Sequence, residues 1–260
     1  MQRLIFFLSV FSIIHQGYTQ NLNLYKQQVD TLCSSYFFGR GYTKKGHIKT
    51  AHYLKYTLKN IGYKVETQNF PIQVNTFPTC SNITINDSIP LVLGKDFIPS
   101  PESGSFKGTL KVFTIDSTML TDSISVNTFL METDSFAVLT DHQILNSLPK
   151  NILDQLYKTK LLVLSVPEPL TGSLSSQVSH FAIIQVIDSL LPKSLQTIDI
   201  NINNQLYTGQ SQNIIAYKDY SPSKPTLYFT AHYDHLGGYG KEVYISGAND
   251  NASGCSMLID

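Results

Sequence analysis

His232 and Asp234 are the two residues whose types and spacing most directly suggest chemistry in this 260-residue sequence. A neutral imidazole can bind a metal ion through one ring nitrogen while a carboxylate holds the other, which fixes the tautomer and makes the imidazole a more basic ligand. Because the residues are two positions apart, both side chains leave an extended backbone on the same face. The apolar run 227–231, which follows Pro225, predicts a buried strand leading into the pair.

Asp250 is the next acid whose setting suits metal binding. Glycines at positions 247 and 254 allow a sharp turn around it, and residues 252–260 have the composition of a helix start. A carboxylate at such a helix entry can offer both oxygens to cations, and one carboxylate can bridge two metal ions about 3.5–4 Å apart. An isolated His-x-Asp is most often structural. The apolar run before it and the Gly-flanked acid after it favour the metal interpretation here.

His235 has two interpretations that the sequence leaves equally open. Its side chain could line the same site as His232 and Asp250, or it could satisfy a hydrogen bond within its own loop.

Two blocks together resemble the signature of the di-zinc aminopeptidase family: Ala-His-Tyr-Asp-His-Leu-Gly at 231–237 and Gly-Ala-Asn-Asp-Asn-Ala-Ser-Gly at 247–254. That family includes aminopeptidase Y, glutamate carboxypeptidase and the non-catalytic transferrin receptor. The resemblance implies two zinc ions, with His232 as a ligand of one, Asp250 bridging both, and Asp234 as the catalytic-site residue that orients His232. It also implies a cis peptide bond between Asp250 and Asn251.

The resemblance covers only part of the family's catalytic domain. In the family the general base is the first of two adjacent glutamates, the second ligates zinc, and a further acid and a histidine complete the coordination. All of these follow the second block, whereas this sequence ends at Asp260. Earlier acids, namely Glu66, Glu102, Glu132 and Glu168, have no family counterpart. We therefore expect an amino-terminal fragment that lacks the base and some ligands.

The expected partners are peptides or proteins as substrates. Lysine plus arginine and aspartate plus glutamate number 19 each, which argues against nucleic acid and anionic membranes as partners. The stretch Gly-Gly-Tyr-Gly-Lys at 237–241 does not fit a phosphate-binding loop, because His235 and Glu242 occupy positions that require Gly and Ser or Thr. His and Asp ligands alone would also suit manganese or cobalt.

The amino terminus predicts a secretory signal peptide over residues 1–19. Arg3 supplies a positive charge, residues 4–14 are apolar, and Gly17 and Thr19 place small residues before a cleavage point at Gln20. The alternative is a buried amino-terminal helix, and the segment argues against it because it is apolar all round. No segment is long and apolar enough to predict a membrane span. We therefore expect a secreted protein, extracellular or periplasmic.

The cysteines predict no disulfide framework. Cys33, Cys80 and Cys255 are odd in number and widely spaced. We expect Cys255 to be packed in the helix that follows the metal turn rather than reactive.

The remaining patterns predict an α/β fold: a mixed twisted sheet flanked by helices, of the zinc-peptidase type, incomplete at the carboxy end and with a small β-rich inserted domain. Helices are predicted over 22–34 and 48–61, the second with Gly62 as its C-cap, and a strand over 63–70. The resemblance extends weakly to this opening. From 71 to 206, short apolar runs at 111–115, 136–139, 161–166 and 181–184 alternate with polar and turn residues, and one helix is predicted over 148–157.

Four segments follow from this pattern. They are the signal peptide (1–19), the first part of the peptidase domain (20–70), an inserted domain that the resemblance labels protease-associated-like (71–206), and the resumed, truncated peptidase domain (207–260), which begins with a strand over 213–217. The predicted function is that of a secreted zinc-dependent aminopeptidase that cleaves the amino-terminal peptide bond with a di-zinc-activated water.

Two alternatives remain. One is a non-catalytic receptor-like or peptide-binding module, and the intact His232, Asp234 and Asp250 argue against it. The other is a metal-binding protein of another fold, but two ligands alone could not bind a metal ion tightly.

Overall fold

The computed structural model describes residues 21–218 and 225–259. The predicted signal peptide lies outside these residues. Within the described ranges, no helix combines the length and apolar composition that crossing a bilayer requires. The helices are α1 Leu22–Leu32, α2 Gly46–Asn60, α3 Ser123–Glu132, α4 His142–Ser147, α5 Lys150–Leu156 and α6 Ser253–Ile259. The strands are β1 Lys64–Thr76, β2 Asn82–Ile85, β3 Ile89–Leu91, β4 Phe97–Pro99, β5 Phe106–Thr114, β6 Phe136–Asp141, β7 Leu161–Val166, β8 Ala182–Ile187, β9 Thr197–Ile202, β10 Gln205–Tyr217, β11 Gly238–Tyr239 and β12 Val243–Tyr244.

The first two helices form where the sequence predicts them. The side chain of Asn21 caps α1 by accepting hydrogen bonds from two backbone N–H groups. Helix α2 buries Ala51 and Leu54 on one face. Gly62 follows the helix with a φ of +88°, the left-handed conformation that ends a helix and that glycine adopts without steric cost. Both predicted helices are confirmed.

A long two-stranded ribbon follows α2. Strands β1 and β10 pair antiparallel from Lys64 opposite Tyr217 to Thr76 opposite Gln205. The ribbon contains the strands predicted over 63–70 and 213–217 and extends both. The predicted boundaries at 70/71 and 206/207 lie inside β1 and β10, so the chain enters and leaves the intervening segment through neighbouring strands. The division into domains stays a prediction.

The segment between β1 and β10 forms an eight-stranded sheet in the order β3-β2-β9-β5-β6-β7-β8-β4. Strands β5 to β8 are parallel, and the outer pairs are antiparallel. Parallel neighbours require crossover connections, which α3 supplies between β5 and β6, and α4 and α5 between β6 and β7. Helices α3 and α5 cover one face, where Phe129 and Ile152 join a core with residues of β6 and β7. The predicted α/β class, with a mixed sheet flanked by helices, is confirmed.

The other face of this sheet buries a second core. It contains residues of β2, β8 and β9, and the segment that follows the His-x-Asp pair contributes Tyr239. A third, smaller core joins Leu32 of α1, Leu54 of α2 and Cys255 of α6. The site described below lies beside this third core, on the loops that connect these helices and the ribbon.

The predicted strand over 227–231 is wrong. Residues 225–237 have no regular secondary structure, and Leu227, Tyr228 and Phe229 are 78%, 78% and 72% exposed. A strand is stabilised by hydrogen bonds to a neighbouring strand, and no strand among the described residues pairs with this run. Ala231 alone of the run packs against the third core.

Candidate metal centre

Two loops bring His232 and Asp250 together. Nε2 of His232 lies 3.0 Å from Oδ1 of Asp250, and the two side chains are 54% and 66% exposed. The residues are separated by 18 positions in the chain, so their proximity is produced by the fold rather than by local sequence. An exposed imidazole and an exposed carboxylate at this separation can bind one cation between them.

The other ring nitrogen of His232 is held by Asp234. Nδ1 lies 3.1 Å from the backbone carbonyl oxygen of Asp234 and 3.9 Å from its carboxylate oxygen Oδ1. A carbonyl can only accept, so Nδ1 is the donor in this contact, and Nε2 is the nitrogen whose lone pair a metal ion would use. The sequence predicts that the Asp234 carboxylate holds this nitrogen. In the structure the carbonyl of the same residue makes the shorter contact.

Asp250 lies in a turn whose backbone departs from a regular helix. Gly247 has a φ of +62°, and Asp250 and Asn251 interrupt the wide helical turn Ala248–Ala252 with φ values of −125° and −135°. The peptide bond between Asp250 and Asn251 is cis, as the resemblance implies. A Cβ at Gly247 would collide with the side chains of His235 and Arg40 and with the Asp250 carbonyl, so only glycine fits.

His235 approaches the same carboxylate from the other side. Its Nδ1 lies 3.4 Å from Oδ2 of Asp250, and its side chain is only 9% exposed. Burial lowers the pKa of His235, and the Asp250 carboxylate opposes that shift. Of the two interpretations left open by the sequence, the structure supports the one in which His235 lines the site.

Arg40 connects the loops that carry these residues. Its side chain is fully buried, and its guanidinium donates to the carbonyl oxygens of Tyr233, Ser246 and Gly247 at 2.9, 2.6 and 2.7 Å. It also donates to the carbonyl of Asp250 at 3.1 Å. The sequence gives no signal for this role, because these four carbonyls lie 193 to 210 positions further along the chain.

Tyr42 supports the second carboxylate. Its hydroxyl donates to Oδ2 of Asp234 at 3.1 Å. Burial, followed by the Asp234 charge, raises the pKa of Tyr42, so the phenol stays protonated and remains a donor. The sequence pattern gives no signal for this contact, because Tyr42 and Asp234 are far apart in the chain.

The donor set fits a divalent metal such as zinc only in part. Imidazole nitrogen and carboxylate oxygen are zinc ligands, and Nε2 of His232 and Oδ1 of Asp250 lie close enough, at 3.0 Å, to bind one cation together. No group of three or more His, Cys, Asp and Glu residues suited to a metal ion occurs within 21–218 and 225–259. His232 and Asp250 are therefore two candidate ligands, whereas zinc usually takes about four.

Comparison with known proteins agrees with this geometry. Residues 213–260 match the model of Peptidase family M28. The matched segment contains His232, Asp234, His235 and Asp250. The match confirms the predicted resemblance to the di-zinc aminopeptidases over the carboxy-terminal part of the chain. No curated protein matches.

Solved structures of two aminopeptidases and of a peptidase M28 precursor share the fold. An aminopeptidase from Aneurinibacillus sp. strain AM-1 superimposes with a TM-score of 0.56 at 19% identity, over 91% of this chain and 57% of that one. A zinc aminopeptidase from Bacillus subtilis gives 0.60 at 17%, over 91% and 55%. A peptidase M28 precursor from Shewanella amazonensis gives 0.60 at 12%, over 91% and 58%. This chain thus spans little more than half the length of each.

Proposed function

We propose that this chain forms part of the active site of a secreted, zinc-dependent aminopeptidase that hydrolyses the amino-terminal peptide bond of peptides. The observation that carries the proposal is the 3.0 Å approach of His232 Nε2 to Asp250 Oδ1, inside the segment that matches Peptidase family M28. Both side chains are exposed, so a metal ion and a peptide can reach them.

The roles of the residues follow from their contacts. His232 offers the lone pair on Nε2, since Nδ1 donates its proton to the Asp234 carbonyl. Asp250 offers two carboxylate oxygens, a donor set that can bridge two cations. Asp234 orients His232, and Tyr42 in turn holds the Asp234 carboxylate. When bound, zinc polarises a scissile carbonyl and lowers the pKa of a bound water toward about 7.

Two further parts of the activity need residues outside this set. Hydrolysis requires a group that takes the proton of the attacking water and passes it to the leaving amine. His235 does not have that role in the proposal, because its Nδ1 faces Asp250 and its side chain is buried. Following the resemblance, we assign the base and the remaining zinc ligands to glutamate, acidic and histidine residues of the full-length protein beyond those described.

The test compares the native, full-length protein with its His232→Ala variant. We expect the wild type to contain two zinc ions by elemental analysis and to release amino acids from aminoacyl-p-nitroanilides. Altering even an outer-shell partner of a metal ligand costs about 10–100-fold in metal affinity or activity, so removal of a ligand should cost at least as much. The matched control is His52→Ala, since His52 is exposed on α2 and belongs to no site.

Two results would overturn the proposal. The first is a His232→Ala variant that keeps both its zinc content and its peptidase activity. The second is a wild-type protein that binds peptides without hydrolysing them in the presence of zinc, which would support the receptor-like alternative instead.

A further inference from the structure

We propose that Arg40 is a positioning residue that holds the loop bearing His232 and the turn bearing Asp250 in mutual register. The inference rests on the proposed function, because it assigns to Arg40 the pre-organisation of the zinc ligands named there. The hydrogen bonds of the Arg40 guanidinium go to backbone carbonyls rather than to the ligand side chains. It acts through the main chain that carries them.

All five N–H donors of the guanidinium are used. Nε donates to the carbonyl of Tyr233, Nη1 to the carbonyls of Leu32 and Ser246, and Nη2 to the carbonyls of Gly247 and Asp250. A guanidinium has five donors in a fixed planar fork, so every donor has a partner. The planar fork therefore fixes the positions of five carbonyl groups relative to one another.

Four of the five carbonyls belong to the two loops that carry the proposed ligands. Tyr233 lies between His232 and Asp234, and Asp250 is itself the second ligand. Ser246 and Gly247 lead directly into the Asp250 turn. The fifth carbonyl, that of Leu32, anchors the guanidinium to the carboxy-terminal end of α1.

The backbone of Arg40 reinforces the same connection. The carbonyl of Arg40 accepts from the N–H of His235 at 3.4 Å, and the neighbouring carbonyl of Gly39 accepts from the N–H of Gly237 at 3.0 Å. Added Cβ atoms at Gly39 or Gly41 would collide with the backbone of Gly237. The loop around Arg40 therefore packs directly against the His232 loop, main chain to main chain.

The charge of Arg40 is compensated by these carbonyl dipoles. No carboxylate among residues 21–218 and 225–259 forms an ion pair with it, although the side chain is fully buried. A buried charge without a partner is strongly unfavourable unless hydrogen bonds satisfy it. An apolar residue here would remove the guanidinium donor from five carbonyls, of which that of Gly247 also accepts from the N–H of Ala252 at 3.2 Å.

The test uses Arg40→Lys in the full-length protein. Lysine keeps the charge but has three donors without a planar fork, so it cannot hold all five carbonyls. We expect its zinc dissociation constant to rise about 10–100-fold, the range seen for outer-shell partners. In the metal-free protein, we expect faster amide hydrogen exchange selectively in residues 232–237 and 246–252.

The matched control is Ile184→Ala, which removes buried volume from the eight-stranded sheet, where Ile184 is fully buried. If Arg40 had only a structural role, Arg40→Lys and Ile184→Ala would show similar zinc affinities and similar amide exchange in the two loops when both are measured below their melting temperatures. The expected contrast is that Ile184→Ala loses thermal stability but keeps the zinc affinity and the exchange rates of the two loops. If Arg40→Lys leaves either loop's exchange or the zinc affinity unchanged, the positioning role is refuted.

A wild-type measurement decides the matter if Arg40→Lys does not fold. In ¹⁵N NMR spectra, the Nε–H of a guanidinium held by carbonyls exchanges slowly with water, and the Arg40 signal should shift when zinc is added. Fast exchange of the Arg40 Nε–H proton with water, or an Arg40 signal whose chemical shift does not change on adding zinc, would contradict the proposal. If the wild type binds no zinc, the proposed function fails, and the exchange comparison in the metal-free protein alone decides whether Arg40 holds the loops.

Discussion

The hydroxyl of Tyr42 donates a hydrogen bond to Oδ2 of Asp234 over 3.1 Å, linking the loop before α2 to the loop that carries His232. The carbonyl of the same aspartate accepts from Nδ1 of His232. The side chain of Asp234 thus accepts a hydrogen bond from Tyr42, while its backbone carbonyl accepts one from His232. These two contacts connect the His232 ring, through Asp234, to a tyrosine 190 positions earlier in the chain.

Replacing Tyr42 with phenylalanine tests this dependence. The ring and its packing remain, while Asp234 loses its donor. Since a typical net hydrogen bond contributes about 0.5–1.5 kcal/mol, we expect the free energy of unfolding to fall by about 1 kcal/mol in urea titrations. We expect the zinc affinity of the full-length protein to fall about tenfold.

Tyr207→Phe is the control for Tyr42→Phe. The ring of Tyr207 packs against that of Tyr42 with centroids 5.7 Å apart, whereas the hydrogen bond to the Asp234 carboxylate comes from Tyr42. Equal losses of zinc affinity in the two variants would show that the hydrogen bond to Asp234 has no special part in the site.

Gly247→Ala tests the crowding behind Asp250. Alanine at a φ of +62° meets the cost of the left-handed region, about 1–2 kcal/mol, and its Cβ would also collide with His235, Arg40 and the Asp250 carbonyl. We expect the free energy of unfolding to fall by about 3 kcal/mol or more, together with loss of zinc binding.

Gly62→Ala separates the two causes. Gly62 has a φ of +88°, yet the nearest atom to an added Cβ is 3.9 Å away on the flexible side chain of Lys218. This variant should show the backbone cost alone, with zinc binding intact. A Gly247→Ala protein no less stable than Gly62→Ala would contradict the crowding seen in the structure.

The local parts of the site could be predicted from the sequence, and the parts that depend on tertiary contacts could not. His232, Asp234 and Asp250 stand in compact blocks whose residue types suggest metal chemistry, and the structure brings all three together. Apart from the Leu32 carbonyl, the partners of Arg40 and Tyr42 are about 190 positions or more away, and they are backbone carbonyls and one carboxylate. No pattern of spacing encodes such contacts.

The fold shows the same division. The run 161–166 is buried on both faces and becomes β7 over the predicted residues, because a continuous apolar run within a sheet has neighbours on both sides. The run 227–231 has a similar composition but stays exposed, since no described strand lies beside it. Composition predicts the preference for a strand, and only the neighbouring strand decides whether it forms.

The cysteines provide a prediction that needs no metal. Cys80 is exposed, whereas Cys255 is buried and its pKa is raised by burial to about 11. Burial also raises the pKa of Cys33. Because the thiolate is the reactive form, we expect one equivalent of thiol to react rapidly with Ellman's reagent at pH 8 and the other two only after unfolding. Cys80→Ser should abolish the rapid phase; a rapid phase that survives would mean that another cysteine is accessible.

His47 provides a prediction about acid stability. Its ring is fully buried in the first turn of α2, with its centroid 4.5 Å from that of the Tyr42 ring at an interplanar angle of 40°. Its Nδ1 lies 3.2 Å from the Gly41 carbonyl oxygen. Burial lowers the pKa of His47 from the usual 6.5, and burial does the same to His235. The unfolded chain therefore binds protons that the folded chain does not.

The sign of the pH dependence follows from that difference. The contribution of a buried neutral histidine is fully present above about pH 6.5 and is lost as the pH falls through the lower folded pKa, with a slope of at most about 1.4 kcal/mol per pH unit for each group. Urea titrations between pH 7.5 and 5 should show wild-type stability falling with acid. His47→Asn, which keeps a donor near the Gly41 carbonyl, should fall less steeply, while His52→Asn on the exposed face of α2 should parallel the wild type. Parallel curves for all three proteins would mean that His47 takes up its proton in the folded state as readily as in the unfolded chain.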